Sequence, residues 1–250
     1  MDSIKKMKKV VLILVATVAI TSTSIPILNE LYIDSKQKKF DNVKELMMKN
    51  SSDRCLSLDV SNPIGVLVQE LNENEKQEVK KTIEQMNKIS PNLEYVLCET
   101  KDITLKNYIH VMSVDNLQNE FDNSYGLAIF THDEKSATIQ FPINIYINEK
   151  VNDIYDYEND VSAFSYVLKH ELMHTLGFKD LYDEKYFNKT IMYHEFDMST
   201  KLYDFSESDI ANIREIYGDS GEEVLIEKTE SSEPVKIDYI KKREDYDYEL

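Results

Sequence analysis

Apolar residues along the middle of the chain follow two periods. Short β-branched runs or strict alternation predict strands over Ile64–Val68, Leu93–Leu97, Tyr108–Met112, Tyr125–Phe130, Ala137–Phe141 and Ile143–Asn148. The polar stretch His132-Asp133-Glu134-Lys135 predicts a turn. Pro142 is expected to interrupt the strand-like run that ends at Phe141, because proline cannot donate to a ladder. A helical period takes over where Val79, Ile83 and Met86 follow Asn72-Glu73-Asn74-Glu75, a cap with acidic first-turn residues. A second helix is predicted from Asp160-Val161-Ser162-Ala163 to Leu176, and Ala163, Val167, Leu168 and Leu176 make it largely buried. Gly177 stands where a helix end wants a residue that tolerates positive φ. A third helix starts at Ser206-Glu207-Ser208-Asp209, carries Ile210, Ile213, Ile216 and Tyr217 as its stripe, and stops at Gly218. The predicted class is α+β, with a twisted mixed β-sheet.

The ends of the chain read differently. Lys5, Lys6, Lys8 and Lys9 precede an uncharged stretch from Val10 to Asn29, densest over Val10–Ile20. A basic cluster before an apolar run predicts a signal peptide or a membrane anchor over 1–29, with the remainder exported. Ala19-Ile20-Thr21 is a poor cleavage site, and the full stretch is long enough to span a bilayer. Residues 30–61 are polar and lysine-rich at first, as in a stalk or a pro-segment. One domain is expected over 62–219. The charge-dense 220–250 predicts a solvated tail.

Composition narrows the partners. The chain has 250 residues and a formal net charge of −17. Such acidity argues against nucleic acid, whose phosphates need a basic face. It leaves cationic peptides or Ca²⁺ open as partners, and nothing predicts more than a monomer. Gly and Pro number five each, so no flexible linker divides the chain. Cys55 and Cys98 are the two cysteines; outside the cytoplasm they are free either to pair or to stay reduced.

The candidate chemistry lies within the second predicted helix, at His170-Glu171-Leu172-Met173-His174. Two imidazoles four residues apart lie on one helix face, the spacing that lets two nitrogens grip one metal ion. The glutamate beside the first histidine can take a proton from a metal-activated water. Asp180 follows His174 by six residues, after the Gly177 turn, and can return to the same metal. Three protein ligands, His170, His174 and Asp180, leave a position open, as in catalytic zinc sites. Glu171 is then the general base. Glu195, on a downstream segment, competes for the third place, in a gluzincin-like arrangement. His132, Asp133 and Glu134 are candidates for a second, structural metal or Ca²⁺. His110 falls within a strand and reads as a sheet histidine.

His170-Glu171-x-x-His174-x-x-Gly177-x-x-Asp180 resembles the extended zinc signature of the metzincin peptidases, with aspartate in place of the usual third histidine. Thr190-Ile191-Met192-Tyr193 resembles their Met-turn, and Phe205–Gly218 their C-terminal helix in its matrixin-type form. The resemblance covers roughly residues 62 to 218. It implies a metzincin-like zincin domain, one catalytic Zn²⁺, and endopeptidase action on a peptide or protein substrate. It also implies that Tyr125–Phe130 is the edge strand that receives the substrate. Tyr193 directly follows Met192, where astacin-like members place their tyrosine one residue later. The alternative is a metzincin-like shell at the cell surface that holds metal without cleaving.

Overall fold

The computed structural model describes residues 56–102, 104–115, 124–133, 136–156, 161–195, 204–219, 221 and 237. The segment expected as signal or anchor, the greater part of the stalk, and Cys55 lie outside them. Among the described residues, no helix is long and apolar enough to cross a membrane.

Among the described residues the fold is α+β, with a mostly parallel sheet and three helices. Eight strands occur in chain order: β1 Ser57–Leu58, β2 Ile64–Leu67, β3 Tyr95–Cys98, β4 Asn107–Val114, β5 Gly126–Asp133, β6 Thr138–Asn148, β7 Tyr155–Asp156 and β8 Val161–Ser162. The main sheet runs β1-β6-β4-β2-β3, with β5 on the other side of β6. Every pairing along that path is parallel, and β5 alone joins antiparallel. The last two strands form a separate antiparallel pair.

Helix α1, Glu73–Ile89, begins as the sequence predicts. Asn72 accepts from the Asn74 and Glu75 backbone, and Glu75 reaches back to the Asn72 N–H in a full capping box. Val79, Ile83, Met86 and Ile89 turn into the core. Helix α2, Ala163–Thr175, is capped by Ser162 and packs against α1, β5 and β6. Nearly all of its residues are buried, as expected for a helix apolar on most sides. Helix α3, Glu207–Tyr217, starts with a second capping box, Ser206 with Asp209, and ends at Gly218, whose φ is +91°.

The turn expected at His132 is still β5 as far as Asp133, and Val161–Ser162, expected as helix, is β8; two further features differ from the pattern-based reading. Pro142 does not end a strand: β6 runs unbroken through it. On one side, the partner of β6 changes from β1, opposite Thr138–Ile139, to β4, opposite Ile143–Asn148. On the other, the β5 register shifts between Ile129, opposite Asn144, and Thr131, opposite Gln140. The proline sits where both ladders are interrupted, so its missing donor leaves no ladder bond unmade. The folded part also begins ahead of the expected start at Asn62. Leu56, Leu58 and Val60 are buried, and the Leu58 N–H donates to the Tyr217 hydroxyl at 3.1 Å.

Most of the charged tail lies outside the described residues. Ile237, within it, is buried, and its N–H donates to Asn212 Oδ1 on α3 at 3.1 Å.

Candidate metal centre

Helix α2 delivers the first two ligands, and a glycine turn delivers the third. Gly177 has a φ of +95°, and a Cβ there would lie 2.3 Å from the Leu56 carbonyl oxygen. Both the backbone angle and the close approach of the chain demand glycine. Past the turn, Leu181 and Tyr193 form a parallel bridge. The Leu181 N–H donates to the Met192 carbonyl at 2.8 Å, and the His194 N–H donates to that of Leu181 at 3.2 Å. The backbone on which Asp180 sits is thus pinned to the segment around Met192.

His170 Nε2 and His174 Nε2 stand 3.1 Å apart. Asp180 Oδ1 lies 3.0 Å from the first and 3.5 Å from the second. For bonds of about 2.0–2.1 Å, two ligand atoms of a tetrahedral metal are about 3.3 Å apart. The observed triangle matches that edge. Protonation supports the same conclusion. His170 Nδ1 is 2.6 Å from the Ile191 carbonyl oxygen, and His174 Nδ1 is 2.8 Å from that of Phe178. A carbonyl only accepts, so both Nδ1 atoms carry the proton. In the neutral rings, two Nε2 lone pairs and a carboxylate oxygen then converge with no donor aligned among them; Asp180 Oδ1 is buried without a hydrogen-bond partner. Such a set needs a cation. Backbone carbonyls on the far nitrogens are also the usual support of metal-bound imidazoles. His170, His174 and Asp180 therefore form a group that can hold a metal ion. The His174 side chain is 3% exposed, against 14% for His170 and 24% for Asp180, so the centre lies nearer the surface on the His170 and Asp180 side.

Without metal, a proton takes the cation's place. Burial pushes His170 down, but its pairing with Asp180, the nearby Glu171 charge and the Ile191 carbonyl outweigh it and raise the imidazole to about 9. Burial pushes Asp180 up, but the His174 and His170 imidazoles outweigh it and hold the carboxyl well below the usual range. The raised histidine stabilises the fold fully below its ordinary pKa of about 6.5 and loses that contribution as pH rises toward 9. The depressed aspartate contributes above its ordinary pKa of about 3.9 and loses its contribution below that. In chelator, stability is therefore expected to be highest between about pH 4 and 6.5 and to fall as pH rises to 9. Urea unfolding at constant ionic strength measures this; a flat profile from pH 6 to 9 would contradict the pairing.

The Glu171 carboxylate is buried close to the triangle and lies against β5 at Gly126. The Ala128 N–H donates to its carboxylate, while its Oε2 is buried without a partner. Burial raises its pKa, partly offset by the two imidazoles.

The segment resembling a Met-turn supports the centre through Ile191, whose carbonyl accepts from His170 and, at 3.3 Å, from the Tyr166 hydroxyl. Met192 is fully buried. Tyr193 is buried and packs edge-on to Phe187, as a structural aromatic does. His194 and Glu195 are exposed, and His194 stacks on Tyr182. Glu195 is outside the ligand group. His132 and Asp133 lie in β5, and Glu134 is outside the described residues; no second ligand group occurs among those described. His110 is a β4 residue, half-buried beside Tyr108. Cys98 is buried and unpaired among the described residues.

Sequence reasoning missed Asp209. It reads as a cap residue, and it is one: Ser206 N–H and Oγ both donate to Oδ2, at 2.8 and 2.7 Å. The same buried carboxylate accepts from Thr190 Oγ1 and, at 3.2 Å, from the Ile191 N–H. One side chain thus ties the start of α3 to the residue that orients His170. Asp209→Ala leaves four buried donors unmatched and is expected to cost about 3 kcal/mol or more. Chemical denaturation checks this; a loss below about 1 kcal/mol would mean the network carries little.

No family model matches the sequence, and no match to a curated protein was found.

Proposed function

We propose that the chain is a zinc-dependent endopeptidase of metzincin type. The observation that carries this reading is the convergence of His170 Nε2, His174 Nε2 and Asp180 Oδ1 beside a buried glutamate with an unpartnered oxygen. Two imidazoles and a carboxylate suit zinc, and three protein ligands leave one position for substrate or water. Zinc bound there supplies a Lewis acid that polarises the scissile carbonyl and lowers the pKa of water to ~7. Glu171 takes the proton of the attacking water and passes it to the leaving amine. The Ile191 and Phe178 carbonyls hold the two imidazoles in register throughout. Among the described residues β5 pairs with β6 alone, and its other edge is the one that an extended peptide would join. The parallel sheet with one antiparallel edge strand, the site on α2, the turn around Met192 and the final helix are in keeping with the metzincin resemblance. The basic and apolar N-terminus supports an exported domain, secreted or anchored.

Incubating the full chain with a mixed peptide library, with and without chelator, tests the reading. Internal cleavage that stops on chelation and returns with zinc is expected. Metal binding without any cleavage would leave the silent, metal-holding shell as the better account.

A further inference from the structure

Gly126, at the start of β5, lies directly against the glutamate of the site. A Cβ at this position would be 2.5 Å from Val167 Cγ1, 2.6 Å from Glu171 Oε1 and 2.9 Å from Glu171 Cγ. The backbone does not require glycine here, because Gly126 is not among the positive-φ residues. Space is the reason, and a glycine inside a strand commonly marks such an approach. Two residues along the same strand, the Ala128 N–H donates to the Glu171 carboxylate. β5 thus constrains that carboxylate twice, by a hydrogen bond at 128 and by a steric limit at 126. Val167 stands one turn before Glu171 on α2 and is β-branched, so it yields little. The part that can give way is the carboxylate itself.

We propose that Gly126 is a positioning residue for Glu171, so that the strand offered to substrate and the proton-transferring group form one mechanical unit. This rests on the endopeptidase reading. A methyl at 126 pushes the carboxylate off the Ala128 N–H without touching His170, His174 or Asp180. A displacement of about 1 Å at a reacting group costs on the order of 100-fold in rate. Substrate pairs along the strand's backbone, which the methyl leaves in place, so KM is expected to move far less than kcat.

The test uses the full, zinc-loaded chain carrying Gly126→Ala. The expected result is a kcat lowered on the order of 100-fold, with a much smaller change in KM and an unchanged zinc affinity. A crystal structure of the variant should show the Glu171 carboxylate moved away from Ala128. Gly126→Ala with Val167→Ala removes the clash with the helix and retains the clash with Glu171. That double variant should fold and remain impaired, and it carries the test if the single variant does not fold. Parental kcat in either folded variant, with Glu171 in place, overturns the proposal. A parent chain that cleaves nothing overturns the endopeptidase reading instead, so the two failures are distinct.

Discussion

Glu171→Gln is expected to lower cleavage by about 10²–10⁴-fold while zinc stays bound at full occupancy. The side chain takes no part in the ligand triangle, so the metal has no reason to leave. Glutamine keeps the shape and the acceptor for the Ala128 N–H but cannot take a proton from water. Stability supplies a second readout. Burial raises the Glu171 pKa, and its Oε2 is enclosed without a partner, so the native charge is unfavourable to the fold. The variant should therefore melt at the same temperature or higher. Lost activity with retained zinc and undiminished stability is the pattern of a group kept for chemistry. A Gln variant that cleaves as fast as the parent would remove Glu171 from the mechanism.

The second large effect concerns Asp180. Structural zinc sites gain about 10–16 kcal/mol from four ligands, so one ligand is worth about 3 kcal/mol, or roughly 100-fold in affinity. Asp180→Ala should weaken zinc binding by at least that order, and Glu195→Gln should leave it unchanged. Asp180 reaches both imidazoles, at 3.0 and 3.5 Å, whereas Glu195 is exposed and outside the group. A competition titration against a zinc chelator measures both variants. If the effects were reversed, the third ligand would be Glu195 and the arrangement gluzincin-like.

The group that can hold a metal ion was legible in the sequence because it is nearly local. A spacing of four positions puts the two histidines on one helix face, and a glycine turn limits where Asp180 can go. The caps at Asn72 and Ser206 were legible for the same reason, since capping is decided within four residues. What escaped is long-range. The two-residue strand β1 has too few residues to show a period and exists through its pairing with β6, about eighty positions away. Pro142 reads as a breaker unless one knows that both neighbouring ladders lapse beside it. Asp209 looks like a helix cap, and nothing in its neighbourhood announces a second use at Thr190 and Ile191. Gly126 carried a signal, a glycine inside a strand, but not the identity of what comes close.

The central claim is that His170, His174 and Asp180 hold one zinc ion. Elemental analysis of the chain purified at neutral pH, in parallel with His174→Ala, tests it most directly. One zinc per parent chain and none in the variant is the expected result. A parent chain that binds no zinc at neutral pH, or a His174→Ala variant that keeps it, would contradict the account.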